Sequence, residues 1–295
     1  MNVRFFPSFG FSEFIKVIRW RKIAWNYRHD FSVIIPIFNG ASFLSVLRKS
    51  IGSPKYRIVL VDDCSNDPAT INLINEWSME KNVTLIRNQQ NLGYCESVNR
   101  AAREVNGDFI LLNSDTEVYG DWAETLIYRL RKTPMLAAVT PFSNSATIYS
   151  FPDPTLRNEL PVSVAAIHLA AAVNRFTRTP SAPTTHGFCV AIKRRAWVEV
   201  GEYSVEKYLI GYGEENDWSM RAMKQGYFVG LAPDVFVAHI HGGSFAPEIK
   251  TERMKKSQEQ LILDYPEYPS LVSLHILNDP WRFLRDKISA ALSNE

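Results

Sequence analysis

Asp108-Phe109-Ile110-Leu111-Leu112-Asn113-Ser114-Asp115-Thr116-Glu117-Val118 reads as a buried strand whose apolar run gives way to a polar tip carrying Asp115. The carboxyl ends of strands are where open α/β sheets bind ligands, so Asp115 stands where a site is expected. Turn geometry alone also favours Asp at a strand end, and the residue gains meaning only from its company. Upstream, 32–38 is an apolar strand closed by Asn39-Gly40, 57–61 a second closed by Asp62-Asp63, and 83–87 a third. Between them lie a helical pattern at 41–50, a helix opened by Asp67-Pro68 and running to Glu80, and a helix over 92–105 that stops at Asn106-Gly107. Continuously apolar strands alternating with helices predict an α/β fold with a doubly wound, mostly parallel sheet and right-handed crossovers.

Further along, Gly211-Tyr212-Gly213-Glu214-Glu215-Asn216-Asp217-Trp218 is a dense acidic turn between glycines, and His239 and His241 follow another apolar strand. Carboxylates and neutral imidazole suit Mg²⁺ or Mn²⁺. A divalent cation is what a protein without a basic phosphate loop recruits against a diphosphate. No Gly-x-Gly-x-x-Gly follows the first strand and no Gly-x-x-x-x-Gly-Lys-Ser/Thr occurs, which excludes the usual dinucleotide and phosphate-loop designs.

The 295 residues are 46% apolar with 33 basic and 31 acidic side chains interspersed, which fits a globular core and gives no sign of a nucleic-acid binder. Cys64, Cys95 and Cys189 are too scattered for a disulfide framework or a zinc site, so a reducing cytoplasm is the expected location. No apolar run approaches the roughly 20 residues that cross a bilayer. At the amino terminus Phe11, Phe14, Ile15, Ile18 and Trp25 share a helical face flanked by Lys16, Arg19, Lys22 and Arg28. Such a helix suits either packing against protein or peripheral contact of residues 11–28 with the inner face of the cytoplasmic membrane. The expected organisation is an amphipathic extension at 1–29, a catalytic domain at 30–245 and a helical appendage at 246–295. That appendage comprises a charged helix at 249–264, a break at Tyr265-Pro266-Glu267-Tyr268-Pro269 and a last helix begun by Asp279-Pro280. Packing on the domain, homodimer formation and acceptor contact are all open to it. Residues 141–161, rich in Pro, Ser, Asn and Thr, read as a long lid or binding loop, and 163–176 as a helix.

The ordered pieces Ser32-Val33-Ile34-Ile35-Pro36-Ile37-Phe38-Asn39, Val61-Asp62-Asp63-Cys64-Ser65-Asn66-Asp67, Asn91-Leu92-Gly93-Tyr94, Leu111-Leu112-Asn113-Ser114-Asp115, Pro141-Phe142-Ser143-Asn144-Ser145-Ala146-Thr147, Gly213-Glu214-Glu215-Asn216-Asp217 and His239-x-x-x-x-Ser244-Phe245 resemble an inverting family-2 glycosyltransferase of bacterial polysaccharide or O-antigen type. The resemblance covers about 30–245 and implies a GT-A fold, a nucleotide-sugar donor linked to UDP or dTDP, and a polysaccharide or lipid-linked glycan acceptor of the cell envelope.

Carried over by position, it implies that Asp63 accepts a hydrogen bond from the pyrimidine, with Pro36, Phe38, Asn91, Gly93, Asn113 and Ser114 completing the donor pocket. Asn113 stands where the family often has the first Asp of an Asp-x-Asp motif. Asp115 and His239 are the implied metal ligands, with His241 the fallback. Glu215 takes the place of the catalytic base, with Glu214 the alternative, while Gly187, Phe188 and Trp218 are assigned to the acceptor. Asp217 and Arg221 are spaced as neighbours on one helical face and read as support for the acidic turn. The rivals are a catalytically dead sugar-binding scaffold and a sugar-1-phosphate nucleotidyltransferase, the latter disfavoured because Asn39-Gly40-Ala41-Ser42 supplies no basic charge.

Overall fold

The computed structural model describes residues 30–208, 212–240 and 247–293; the expected extension at 1–29 and His241 lie outside the described residues. In chain order the elements are β1 (Ser32–Ile37), α1 (Ala41–Ile51), β2 (Arg57–Asp62), α2 (Pro68–Ser78), β3 (Val83–Arg87), α3 (Tyr94–Arg103), β4 (Phe109–Leu112), β5 (Thr116–Glu117), α4 (Trp122–Lys132), β6 (Leu136–Phe142), α5 (Val164–Ala171), β7 (Ser181–Ala182), β8 (Cys189–Ile192), α6 (Arg194–Val200), α7 (Val205–Tyr208), α8 (Glu214–Lys224), β9 (Phe228–Phe236), β10 (Ala238–His239), α9 (Pro247–Asp264), α10 (Tyr268–Asn278) and α11 (Arg282–Ser293).

One sheet has the order β3-β2-β1-β4-β8-β6-β9-β7, and β10 pairs with β5 in a separate ribbon. Strands β1 to β4 are mutually parallel, as are β6 and β9, whereas β8 and β7 run antiparallel to their neighbours. The sheet is thus mostly parallel and buried on both faces, as its continuous apolar strands require. Because β2 lies on one side of β1 and β4 on the other, the chain reverses direction across the sheet there, and a crevice opens at the carboxyl ends of β1 and β4.

The turns at that edge are tied together by one side chain. Asn39, in the left-handed region at φ 57°, accepts the backbone N–H groups of Asn66 and Asp67 on its Oδ1, both at 3.0 Å, while its own N–H donates to Ser65 Oγ. Asp67 caps α2 as its sequence position predicts, accepting from Ala69 and Thr70.

Several segments depart from the reading of the sequence. Helix α4 and strand β6 have no assignment in it, because Thr125 and Arg129 interrupt the apolar pattern of α4. Both are buried: Arg129 pairs with Asp234 of β9 and donates to the carbonyls of Asn174, Arg175 and Thr177. The expected lid at 141–161 instead begins inside β6, and Ser143, Ile148, Tyr149 and Ser150 are buried around a 3-10 turn, Thr147–Tyr149, making a wall. The helix expected at 163–176 stops at Ala171 and tightens into a 3-10 turn at Ala172–Asn174, whose carbonyl end is taken by Arg129.

At the carboxyl end the Tyr-Pro pairs open α10 rather than only breaking the chain, with Pro269 in its first turn. Trp281, Leu284 and Ile288 of the last segment sit in the main hydrophobic core, Trp281 against Tyr149 at 5.1 Å between ring centres. Trp281→Ala is therefore expected to cost about 3–5 kcal/mol in one cooperative transition. Calorimetry showing an early, separate melting of the terminal helices would contradict that shared core.

Candidate active site

A cleft of about 720 Å³ lies over the crevice at β1 and β4, lined among others by Pro36, Phe38, Asp63, Asn91, Gly93, Asn113, Ser114, Asp115, Gly187, Phe188, Glu214, Glu215 and His239. Residues separated by as much as the length of the sheet-forming chain are thus gathered along one edge.

Asp63 follows β2 and is 5% exposed. Its Oδ1 accepts from Asn88 Nδ2 at 2.8 Å and the Leu92 N–H at 2.7 Å, and its Oδ2 from the Gly93 N–H at 2.9 Å. The carboxylate therefore shapes the 88–93 turn, and each carboxylate oxygen has two acceptor sites, so Oδ2 retains capacity for one more donor from the cleft. Asp62, by contrast, caps the Ser65 N–H and pairs with Arg87 at 2.8 Å, turned away from the cleft lining.

The two-residue ribbon of β5 and β10 pairs Thr116 with His239, and the Ile240 N–H donates to Asp115 O at 2.9 Å. This brings His239 Nε2 to 3.4 Å from Asp115 Oδ1. His239 Nδ1 lies 3.2 Å from the Ser145 carbonyl, which can only accept, so Nδ1 carries a proton, and in the neutral ring Nε2 presents its lone pair towards the carboxylate. Two acceptors facing one another repel unless a cation or a proton lies between them. The donor set of one carboxylate and one imidazole is of the kind that would suit Mg²⁺ or Mn²⁺. Phe188 stacks on the His239 ring at 5.6 Å and 19°.

Across the cleft, Gly213 at φ 140° starts α8, whose first turn carries Glu214 and Glu215. A carboxylate in that position is favoured by the helix dipole. Glu214 is 4% exposed, with Oε2 accepting the Gly213 N–H at 3.1 Å. Burial, and next the Glu215 charge, push its carboxyl well above the carboxylate range. Glu215 is half-buried and also raised by burial, but hydrogen bonds from backbone N–H groups and from the Glu214 carboxyl oppose the rise. Of the two coupled acids Glu214 is the one pushed further up, and Oε2 of Glu215 is buried with no hydrogen-bond partner among the described residues. Gly187 faces both acids: a methyl group there would touch Glu214 Oε1 at 3.8 Å and Glu215 Cδ at 3.9 Å. Asp217 pairs with Arg221 at 2.8 Å and accepts from Tyr265, bracing the turn.

One acceptor assignment is corrected. Trp218 is 1% exposed, stacked on Trp197 with its indole N–H donating to Gly201 O at 2.8 Å, because a helical turn carries it to the core side of α8. Phe188, also 1% exposed, lines the cleft and stacks on His239.

The sequence profile of Glycosyl transferase family 2 matches residues 32–201. The chain belongs to that family. An uncharacterized glycosyltransferase from Haemophilus influenzae is 33% identical over 91 residues, a match spanning 30% of this chain and 30% of that relative. Among solved structures, the mannosyltransferase PcManGT from Pyrobaculum calidifontis in complex with GDP-Man and Mn²⁺ superposes with a TM-score of 0.59 at 19% identity, covering 95% of this chain and 81% of that one. S. aureus TarS 1–349 in complex with UDP-GlcNAc gives 0.52 at 16% identity over 86% and 73%. These likenesses give this family-2 glycosyltransferase the GT-A fold, whose nucleotide-sugar-bound examples they are.

Several residues at or behind the cleft received no role in the reading of the sequence. Asn144 and Ser145 hold His239, and Tyr268 and Val272 of α10 line the cleft. A run of Ser and Asn directly after an apolar strand is a usable signal for the first two. Nothing local marks the second two, whose helix reaches the cleft by tertiary packing alone.

Because folding binds the Glu214 proton more tightly than the unfolded chain does, that contribution to stability is complete below the unfolded value and lost as pH rises through the folded one. Glu214→Gln cannot lose a proton. Its melting temperature is expected to rise relative to the parent by about 2–4 °C at pH 8 for each kcal/mol recovered, and by less at pH 5. Melting curves with the same difference at both pH values would refute the raised Glu214 carboxyl.

Proposed function

We propose that this protein is a metal-dependent inverting glycosyltransferase that moves a hexosyl group from a UDP- or dTDP-linked donor to a hydroxyl of a polysaccharide or lipid-linked glycan of the cell envelope. The observation that carries the reading is the buried Oε2 of Glu215, which has no hydrogen-bond partner among the described residues and lies in the same cleft as the facing Asp115–His239 pair. Residues 30–245 would carry the chemistry, with α10 closing one wall.

In this reading the base of the nucleotide enters beside Pro36 and Phe38, and its N3–H donates to Asp63 Oδ2, a charge-assisted contact. Asp115 and His239 would hold Mg²⁺ or Mn²⁺, which would supply neutralisation of the departing diphosphate; the Pyrobaculum protein, whose structure is in complex with GDP-Man and Mn²⁺, supports that choice. Glu215 takes the proton of the acceptor hydroxyl while that oxygen forms its bond to the anomeric carbon. The bond from that carbon to the diphosphate breaks on the opposite face, its electron pair leaves with the diphosphate, and the configuration inverts. Burial raises the Glu215 carboxyl, which makes it a stronger base than a solvated carboxylate, and Glu214 keeps it oriented by donating its proton as a hydrogen bond.

Calorimetric titration of UDP and dTDP with and without Mn²⁺ tests the donor assignment. Binding of at least one nucleotide, strengthened by Mn²⁺, is expected; binding of neither would overturn it.

A further inference from the structure

The segment from Ser143 to Phe151 joins the cleft to the carboxyl-terminal helix. Its first residues grip His239: Asn144 Oδ1 accepts the His239 N–H at 2.8 Å, Asn144 Nδ2 donates to the His239 carbonyl at 3.2 Å, and the Ser145 carbonyl faces Nδ1. Its last residues are gripped from α11. Arg285, 4% exposed, donates from Nε to Ser150 O at 2.8 Å and from Nη2 to Ile148 O, while Nη1 pairs with Asp279 at 2.6 Å. A guanidinium is a rigid planar fork, so it fixes the spacing of the two carbonyls, which the single ammonium of lysine cannot do.

Between these grips the segment is internally bonded. Ser143 N–H donates to Tyr149 O at 3.0 Å, Ala146 N–H to Ser150 Oγ at 2.9 Å, and Phe151 N–H to Ser143 O at 2.7 Å. At its apex Thr147 has φ 49°, a left-handed conformation that a β-branched residue adopts only where its surroundings enforce it. A movement at Ile148 or Ser150 is thereby passed to Asn144 and Ser145.

We propose that Arg285 is a positioning residue of the active site: through this segment it maintains the Asn144 clamp and the Ser145 contact, and so keeps His239 protonated on Nδ1 with Nε2 towards Asp115. The link to cation binding rests on the reading of Asp115 and His239 as its ligands; the orientation of His239 does not. Arg285 lies beyond the residues matched by the family profile, so the last helix is assigned a role in the site itself.

The test uses the full chain with Arg285→Lys, which keeps the charge opposite Asp279 but cannot span both carbonyls, and Asn144→Ala at the other end of the segment. The tautomer of His239 is read without metal by long-range proton–nitrogen correlation, and Mn²⁺ binding in the presence of UDP by electron paramagnetic resonance. Both variants are expected to populate the Nε2-protonated tautomer. Asn144→Ala should weaken Mn²⁺ about 10- to 100-fold, the range for loss of support to a ligating imidazole, and Arg285→Lys by about threefold or more. The double variant should bind Mn²⁺ no more weakly than Asn144→Ala alone, since both act through one path. An unchanged tautomer in Arg285→Lys, whatever its melting temperature, overturns the proposal. A parent protein that binds no Mn²⁺ while the variants still alter the tautomer would remove the cation reading and leave the positioning role standing.

Discussion

Glu215→Gln is expected to bind the donor nucleotide within about twofold of the parent while transferring sugar about 10²- to 10⁴-fold more slowly, the range for loss of a general base. Gln matches Glu in shape, so the cleft and the α8 start should persist, and what disappears is the ability to accept a proton. The rate of the parent should fall on acidification, because Glu215 must be ionised to act. Burial raises its carboxyl, which places the acidic limb above the range of a solvated glutamate. Transfer assays from pH 5 to 9, with nucleotide affinity measured alongside, provide the check. Normal transfer by Glu215→Gln would refute the assigned base, and loss of transfer only in Glu214→Gln would move the role to its neighbour.

Asp115→Asn should erase the Mn²⁺-dependent part of nucleotide affinity and lower transfer at least about a hundredfold, since neutralising a departing diphosphate is worth several kcal/mol and each 1.36 kcal/mol is tenfold in rate. The amide keeps the turn, because the backbone carbonyl of Asp115, not its side chain, holds the Ile240 N–H. Metal-independent nucleotide contacts with Asp63 and the end of β1 should remain. Calorimetry with UDP or dTDP, with and without Mn²⁺, separates the two components. A variant that retained the full Mn²⁺ effect would show that the cation is held elsewhere.

These expectations draw on different levels of the molecule. The parallel strands were legible because 32–38, 57–61 and 108–112 are apolar without alternation, which only burial on both faces accommodates. Asp63, Asp115 and the acidic turn were legible because each ends or begins an element at a chemically telling point. Trp218 was misread because its place beside Glu215 in the chain says nothing of its direction: three positions further round a helix, the side chain points into the core. The segment 143–151 was read as a lid or binding loop because its polar composition resembles a solvated loop; it does line the cleft, but as a fixed wall whose hydroxyls and amides are satisfied by one another, by His239 and by Arg285.

The chain by itself determined the α/β class, the edge of the sheet where a ligand would bind and the residue types available there, since these follow from local periodicity and from where apolar runs end. Only the tertiary structure decided that Asp115 and His239 face each other, that Glu214 and Glu215 are buried side by side, and that Arg285 grips the segment that holds His239. Those properties depend on distances between residues remote in sequence and on the exclusion of water around them, and neither is encoded in any local stretch.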